Sequence, residues 1–143
     1  AGGLLSNRYL GTPEPTPPYE TRSLTKYKLI VEEFGGWNLF QSLLQTLSAI
    51  GGRHDVSLSA VATRYVLEKP SVAAVIVGAR HTGHLADLAR LPSIRLDSAD
   101  RAAIDAVLGR ARGPNGPVYG LARIRDGVHG AIMRYNLQRE EPA

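Results

Sequence analysis

Pro70-Ser71-Val72-Ala73-Ala74-Val75-Ile76-Val77-Gly78-Ala79-Arg80 is the stretch on which the reading of the whole chain turns. Val72–Val77 is an unbroken apolar run, rich in β-branched side chains and bounded by turn formers. Apolarity without alternation is the pattern of a strand buried on both faces in a parallel sheet. The same pattern also fits an apolar helix segment, or a lone core strand in a small helical domain. A buried strand must pair its backbone N–H and C=O groups, and each one left unpaired costs about 1–3 kcal/mol. No second run of this kind occurs elsewhere in the chain. The strand reading therefore expects a partner, either another polypeptide or a missing N-terminal half, to supply the rest of the sheet.

Working outward, helices flank this run on both sides. Ser57 is the expected N-cap of a helix to about Leu67, burying Val61, Ala62, Tyr65 and Val66, with Pro70 just past its end. Trp37 to about Ile50 carries a wide apolar stripe of Leu39, Phe40, Leu43, Leu44, Leu47 and Ile50, closed by Gly51-Gly52. Leu24–Phe34 is a shorter helix ended by Gly35-Gly36. Before it, Pro13, Pro15, Pro17 and Pro18 make residues 1–24 a loop. Downstream, Thr82 to about Ala89 is a short helix. Ser98 caps another, with Asp100 in its first turn and Ala103, Ile104, Val107 and Leu108 on its apolar face. Gly113-Pro114-Asn115-Gly116-Pro117 then breaks the chain, so residues 113–143 read as a largely irregular extension of the unit formed by residues 1–112.

Composition narrows the function classes. The chain has 143 residues, 43% of them hydrophobic, which is enough for one globular unit. It has no cysteine, which excludes disulfides and thiolate metal sites and suits a reducing compartment, the cytoplasm or an organelle interior. No apolar run approaches the roughly 20 residues of a membrane span. The first residue is Ala and no targeting pattern follows it, so a processed, split or truncated chain is expected. The formal charge is +4, but the basic residues are scattered and no nucleic-acid motif accompanies them, so no nucleic-acid partner is expected. His81 and His129 have no partners at ligand spacing, and no metal site is expected. Trp37 and Phe40 fit either a pocket wall or, more readily, core.

The order and spacing of several short segments add a resemblance. Ala1-Gly2-Gly3-Leu4-Leu5-Ser6, Arg8-Tyr9-Leu10-Gly11, Leu24-Thr25-Lys26-Tyr27 and Phe34-Gly35-Gly36-Trp37 are followed by Val56-Ser57-Leu58-Ser59, Ala62-Thr63-Arg64-Tyr65-Val66-Leu67 and Val75-Ile76-Val77-Gly78-Ala79-Arg80. Gly113-Pro114, Val118-Tyr119 and His129-Gly130-Ala131-Ile132-Met133-Arg134-Tyr135-Asn136-Leu137 complete the set. Together they resemble the C-terminal portion of an aldo-keto reductase, an NADP-dependent oxidoreductase built as a (β/α)₈ barrel. The fold class this implies is α/β: a partial barrel, mostly helical, with Val72–Val77 as its one buried parallel strand. The family's catalytic Asp, Tyr, Lys and His come from earlier strands, and none maps onto a position here. Tyr65, Lys69 and His54 are not substitutes, because they sit on or beside the helix leading into the run, away from a barrel mouth.

The resemblance also implies a cofactor turn. In that family the turn after the last strand holds the adenosine end of NADP, which puts Gly78, Ala79, Arg80, His84 and Asp87 forward as cofactor-binding residues. The physical reasons are legible. Gly78 admits close approach of backbone to phosphate, a helix start near Thr82 favours an anion, and the Arg80 fork suits a 2′-phosphate. His84 and Asp87 follow Arg80 by four and seven residues, on roughly one helical face. Gly2, Gly3 and Leu4 lie beside the family's pyrophosphate loop. Ala79 stands where a Ser or Thr is usual, Leu88 where an Asn is usual, and Pro117 and Ala122 where an Asp and a Glu are usual, so each departure removes a polar contact. Two expectations result. One is a segment of an NADP(H)-dependent oxidoreductase whose catalytic residues lie elsewhere. The other is a non-catalytic, pseudoenzyme-like subunit of a larger complex, with any NADP site vestigial.

Overall fold

The computed structural model describes residues 2–78 and 85–133. Seven helices lie in them: α1 (Arg22–Phe34), α2 (Trp37–His54), α3 (Leu58–Leu67), α4 (Leu85–Arg90), α5 (Ser98–Leu108), α6 (Val118–Leu121) and α7 (Val128–Ala131). Single 3₁₀ turns occur at Asn7–Tyr9 and Leu91–Ser93.

Local chemistry explains most of the helix boundaries. The Thr21 hydroxyl accepts from the Leu24 N–H at 3.2 Å and starts α1. Gly35, at φ 149°, and Gly36, at φ 84°, stop it, since both angles favour a residue without Cβ. Ser57 caps α3 as expected, its Oγ accepting from the Ala60 N–H. Asp97, rather than Ser98, is the N-cap of α5. Its carboxylate accepts from the Asp100 N–H at 2.7 Å, and Asp100 returns the bond to the Asp97 N–H at 3.2 Å, a reciprocal capping box.

The expected stop of α2 at Gly51-Gly52 is not observed. The helix runs on to His54 and ends at Asp55 in the left-handed region. Gly51 is needed for clearance: a Cβ there would lie 2.5 Å from the Val56 carbonyl oxygen, where the chain turns back towards α3. Tertiary packing has outweighed the poor helix propensity of two glycines.

α2 is the axis of the molecule. It packs against α1, α3 and α5, and its Leu44, Leu47 and Ile50 are shut off from water together with Leu58 and Val61 of α3 and Ile104 of α5. Ile94 and Leu96 reach the same core from the segment before α5. Of the residues expected to be buried on α3, Val61 and Tyr65 are, Ala62 is partly so, and Val66 is exposed. The N-terminal loop is tied to the start of α2. Trp37 donates its indole N–H to the Thr12 carbonyl at 3.0 Å, and Gln41 takes the Gly11 N–H and donates to the Tyr9 carbonyl, each at 2.8 Å. Tyr9 meets Trp37 edge to face, Trp37 lies 5.4 Å from Phe40, and both α2 aromatics are core rather than pocket wall.

Among the described residues there is no β-strand, so the expected partial (β/α)₈ barrel with a buried parallel strand is corrected to a helical array. Val72–Gly78 follows α3 as irregular chain, with Val72 and Val75 half-buried and Ile76 fully exposed. The cause is the pairing requirement: with no adjacent strand, the N–H and C=O groups of this run are best satisfied by water, which keeps it on the surface. The other two options left open for the run, core helix and lone core strand, fail too. The described part of the extension, residues 113–133, carries α6 and α7 as single turns. No described helix is long and apolar enough to cross a membrane.

Candidate functional site

The expected cofactor turn is described at its two ends. Ala79, Arg80 and His84 lie outside the described residues, as do Thr82 and His81. Gly78 is exposed, and among the described residues a Cβ built on it would meet nothing within 4 Å. Asp87 sits in α4, half-buried, and one of its carboxylate oxygens accepts the Ser57 N–H at 3.2 Å. Arg90 at the other end of α4 donates to the Asp55 carbonyl at 2.5 Å and lies 3.3 Å from the Asp55 carboxylate. These two links fasten α4 to the turn between α2 and α3. Of the expected cofactor residues, Gly78 and Asp87 are thus the two described, and one Asp87 carboxylate oxygen is engaged by the Ser57 backbone.

Two clusters of ionisable groups lie away from that turn, and both join helices. In the first, the Tyr65 hydroxyl donates to Asp105, and the Lys69 ammonium stands 3.8 Å over the Tyr65 ring and 3.6 Å from the Asp105 carboxylate. Burial, and then the hydrogen bond to Asp105, push the Tyr65 phenol above its ordinary value. The trio ties α3 and the residues just after it to α5. In the second cluster, Asp100 receives hydrogen bonds from His54, at 2.7 Å, and from Arg53. Burial alone would push the Asp100 carboxyl up. The bonds from His54, Arg53 and the Asp97 N–H together hold it below the ordinary range. Glu68, bridging Arg64 at 2.8 Å and Arg101 at 2.9 Å, is a second link between α3 and α5.

A cleft at the far end of the molecule was not legible in the sequence. His129 of α7 is buried, and its Nε2 bonds the carboxylate of Glu33, 96 residues away at the end of α1, at 2.8 Å. Its Nδ1 is buried without a partner among the described residues. Glu33, Arg112, Asn115, Leu121, Val128 and His129 line a cleft of about 320 Å³ there. Neither a motif nor a spacing could have paired Glu33 with His129. The one local signal was the turn-forming run from Gly113 to Gly116, which folds the tail back towards α1. Among the described residues no group of three His, Asp or Glu is placed to hold a metal ion.

Comparison with known proteins was made against this geometry. The chain is 34% identical over 70 residues to flagellar radial spoke protein 5 of Chlamydomonas reinhardtii; the aligned stretch is 47% of this chain but 13% of that protein. This chain thus corresponds to a small part of that relative's length. No solved structure matches it. Residues 1–108 match the description of the Aldo/keto reductase family, from the glycine-containing N-terminal loop through the end of α5. That match covers the larger part of the molecule and includes both ends of the expected cofactor turn, and on it the chain belongs to the aldo/keto reductase family.

Proposed function

We propose that this chain supplies the adenosine and 2′-phosphate side of an NADP(H) site in a carbonyl–alcohol oxidoreductase, and that the catalytic Asp, Tyr, Lys and His stand on residues outside it. The observation that carries this reading is the family match over residues 1–108, and the resemblance implies that the turn after Val77 would hold the cofactor's adenosine end. Gly78 would admit the phosphate, Arg80 would pair with it, and His84 and Asp87 would face the adenosine. NADP supplies the hydride when bound, and this chain's contribution is binding and orientation. A companion segment or polypeptide would carry the catalytic residues and cover the exposed apolar side chains of Ile76 and Val77. The test is titration of NADPH, followed by its fluorescence, into the complete assembly. Submillimolar binding that Arg80→Ala weakens at least about tenfold is expected, since a charge-assisted fork on phosphate is worth more than a neutral bond.

A second reading is a non-catalytic subunit of a larger complex. It is favoured by the similarity to a protein whose name places it in a flagellar radial spoke. Ala79 and Leu88, in place of polar cofactor contacts, point the same way. On this reading the assembly binds no NADPH at millimolar concentration, and deleting the chain lowers assembly rather than turnover.

A further inference from the structure

We infer that the cleft between the end of α1 and the tail is a binding site for a small organic carboxylate that also carries a hydroxyl or amine. It shares no lining residue with Gly78 or Asp87, and all its lining residues except Glu33 lie beyond the stretch matched to the family. A volume of about 320 Å³ suits a molecule the size of a hydroxy acid or amino acid.

The polar groups in the cleft decide the chemistry. Arg112 is anchored through its backbone N–H to the Phe34 carbonyl at 3.0 Å, which fixes the start of its side chain at the rim. Among the described residues neither its guanidinium nor the Asn115 amide has a hydrogen-bond partner. A planar guanidinium beside an amide N–H₂ matches the two oxygens of a carboxylate. Across the cleft, Glu33 uses Oε2 for His129 and has Oε1 left to accept from a ligand hydroxyl or amine. That same negative charge disfavours a phosphate dianion, because like charges in a space this small repel. Pro114, Leu121 and Val128 provide the apolar wall for a short carbon skeleton.

His129 is the second observation. With Nε2 bonded to Glu33, Nδ1 is shielded from water and has no partner among the described residues. A buried polar nitrogen left in this state is a standing cost. A ligand hydroxyl or amine entering beside it, with a small shift of the single-turn helix α7, would remove that cost. Gly113 keeps the floor of the cleft thin: a Cβ there would press on the Glu33 carbonyl at 3.3 Å.

The experiment is a titration of the ¹⁵N-labelled full chain with sodium lactate, followed by amide shifts, with sodium chloride, ethylene glycol and inorganic phosphate as comparisons. Saturable shifts at Gly113, Asn115 and His129 with lactate, and none with chloride or glycol, are expected. Arg112→Gln, at an exposed position that leaves the fold intact, should weaken lactate at least about tenfold, and Asn115→Ala should weaken it by a smaller factor. Shifts that fail to saturate, that chloride reproduces at equal ionic strength, or that survive Arg112→Gln would overturn the site. Phosphate binding more tightly than lactate would overturn the ligand class.

Discussion

At Asp100 a fully buried carboxylate stays charged because four donors converge on it and its neighbourhood: His54, Arg53, and the N–H groups of the capping box. Removing it breaks a buried ion pair and a helix cap together, so Asp100→Ala should lower stability by about 3 kcal/mol in urea unfolding. The pH dependence has a definite sign. The folded-state value lies below the unfolded one, so this stabilisation is complete above the ordinary carboxylate range and is lost as pH falls through the folded value. Acid unfolding followed by circular dichroism should therefore be shallower in Asp100→Asn than in the parent chain. Tyr65→Phe tests the other cluster: loss of one hydrogen bond to Asp105 should cost about 1 kcal/mol. Residue chemistry of this kind was only partly legible beforehand. The acidic first turn of α5 was readable, but the long-range partners were not, since Arg53 and Asp100 stand 47 positions apart. Glu33 and His129 are further apart still. Local patterns specify caps, whereas tertiary folding alone specifies which distant charges meet.

Elements were read best where a cap or a turn residue acts on its own neighbours. Ser57 and Gly35-Gly36 bound their helices as expected, whereas α1 starts at Arg22, capped by Thr21, two residues before the expected start at Leu24. The end of α2 also differs, because the two glycines read as a stop when one of them is a spacer. This distinction predicts opposite outcomes from neighbouring substitutions. Gly51→Ala drives a methyl into the Val56 carbonyl and should destabilise by about 1–3 kcal/mol. Gly52→Ala points into open space and should stabilise by about 0.5–1 kcal/mol, the helix-propensity gain alone. Thermal unfolding of the two single variants checks both.

For the whole molecule, the run Val72–Val77 shows what apolar patterning cannot say. The pattern records that a segment is suited to burial between neighbours; it does not record whether those neighbours are in the same chain. Here the helices close a core around α2 without it. Ile76→Lys should accordingly change the stability of the isolated chain by no more than about 0.5 kcal/mol, where a core strand would lose several times that. The family relationship, carried by many short segments in order, was legible across most of the chain even though the barrel was not. The cofactor residues expected at Gly78–Asp87 rest on the resemblance alone, and of their side chains only Asp87 is described, engaged by the Ser57 N–H.

The loop fastened to the start of α2 has a practical consequence. Trp37 is the chain's one tryptophan, and its indole is hydrogen-bonded to Thr12 and wedged between Tyr9 and Phe40. Its emission therefore reports on that clasp and on the edge of the core beside it. Peeling the loop away exposes the indole and shifts its light to the red while the helical signal stays whole, so one colour change separates release of the N-terminal segment from melting of the core.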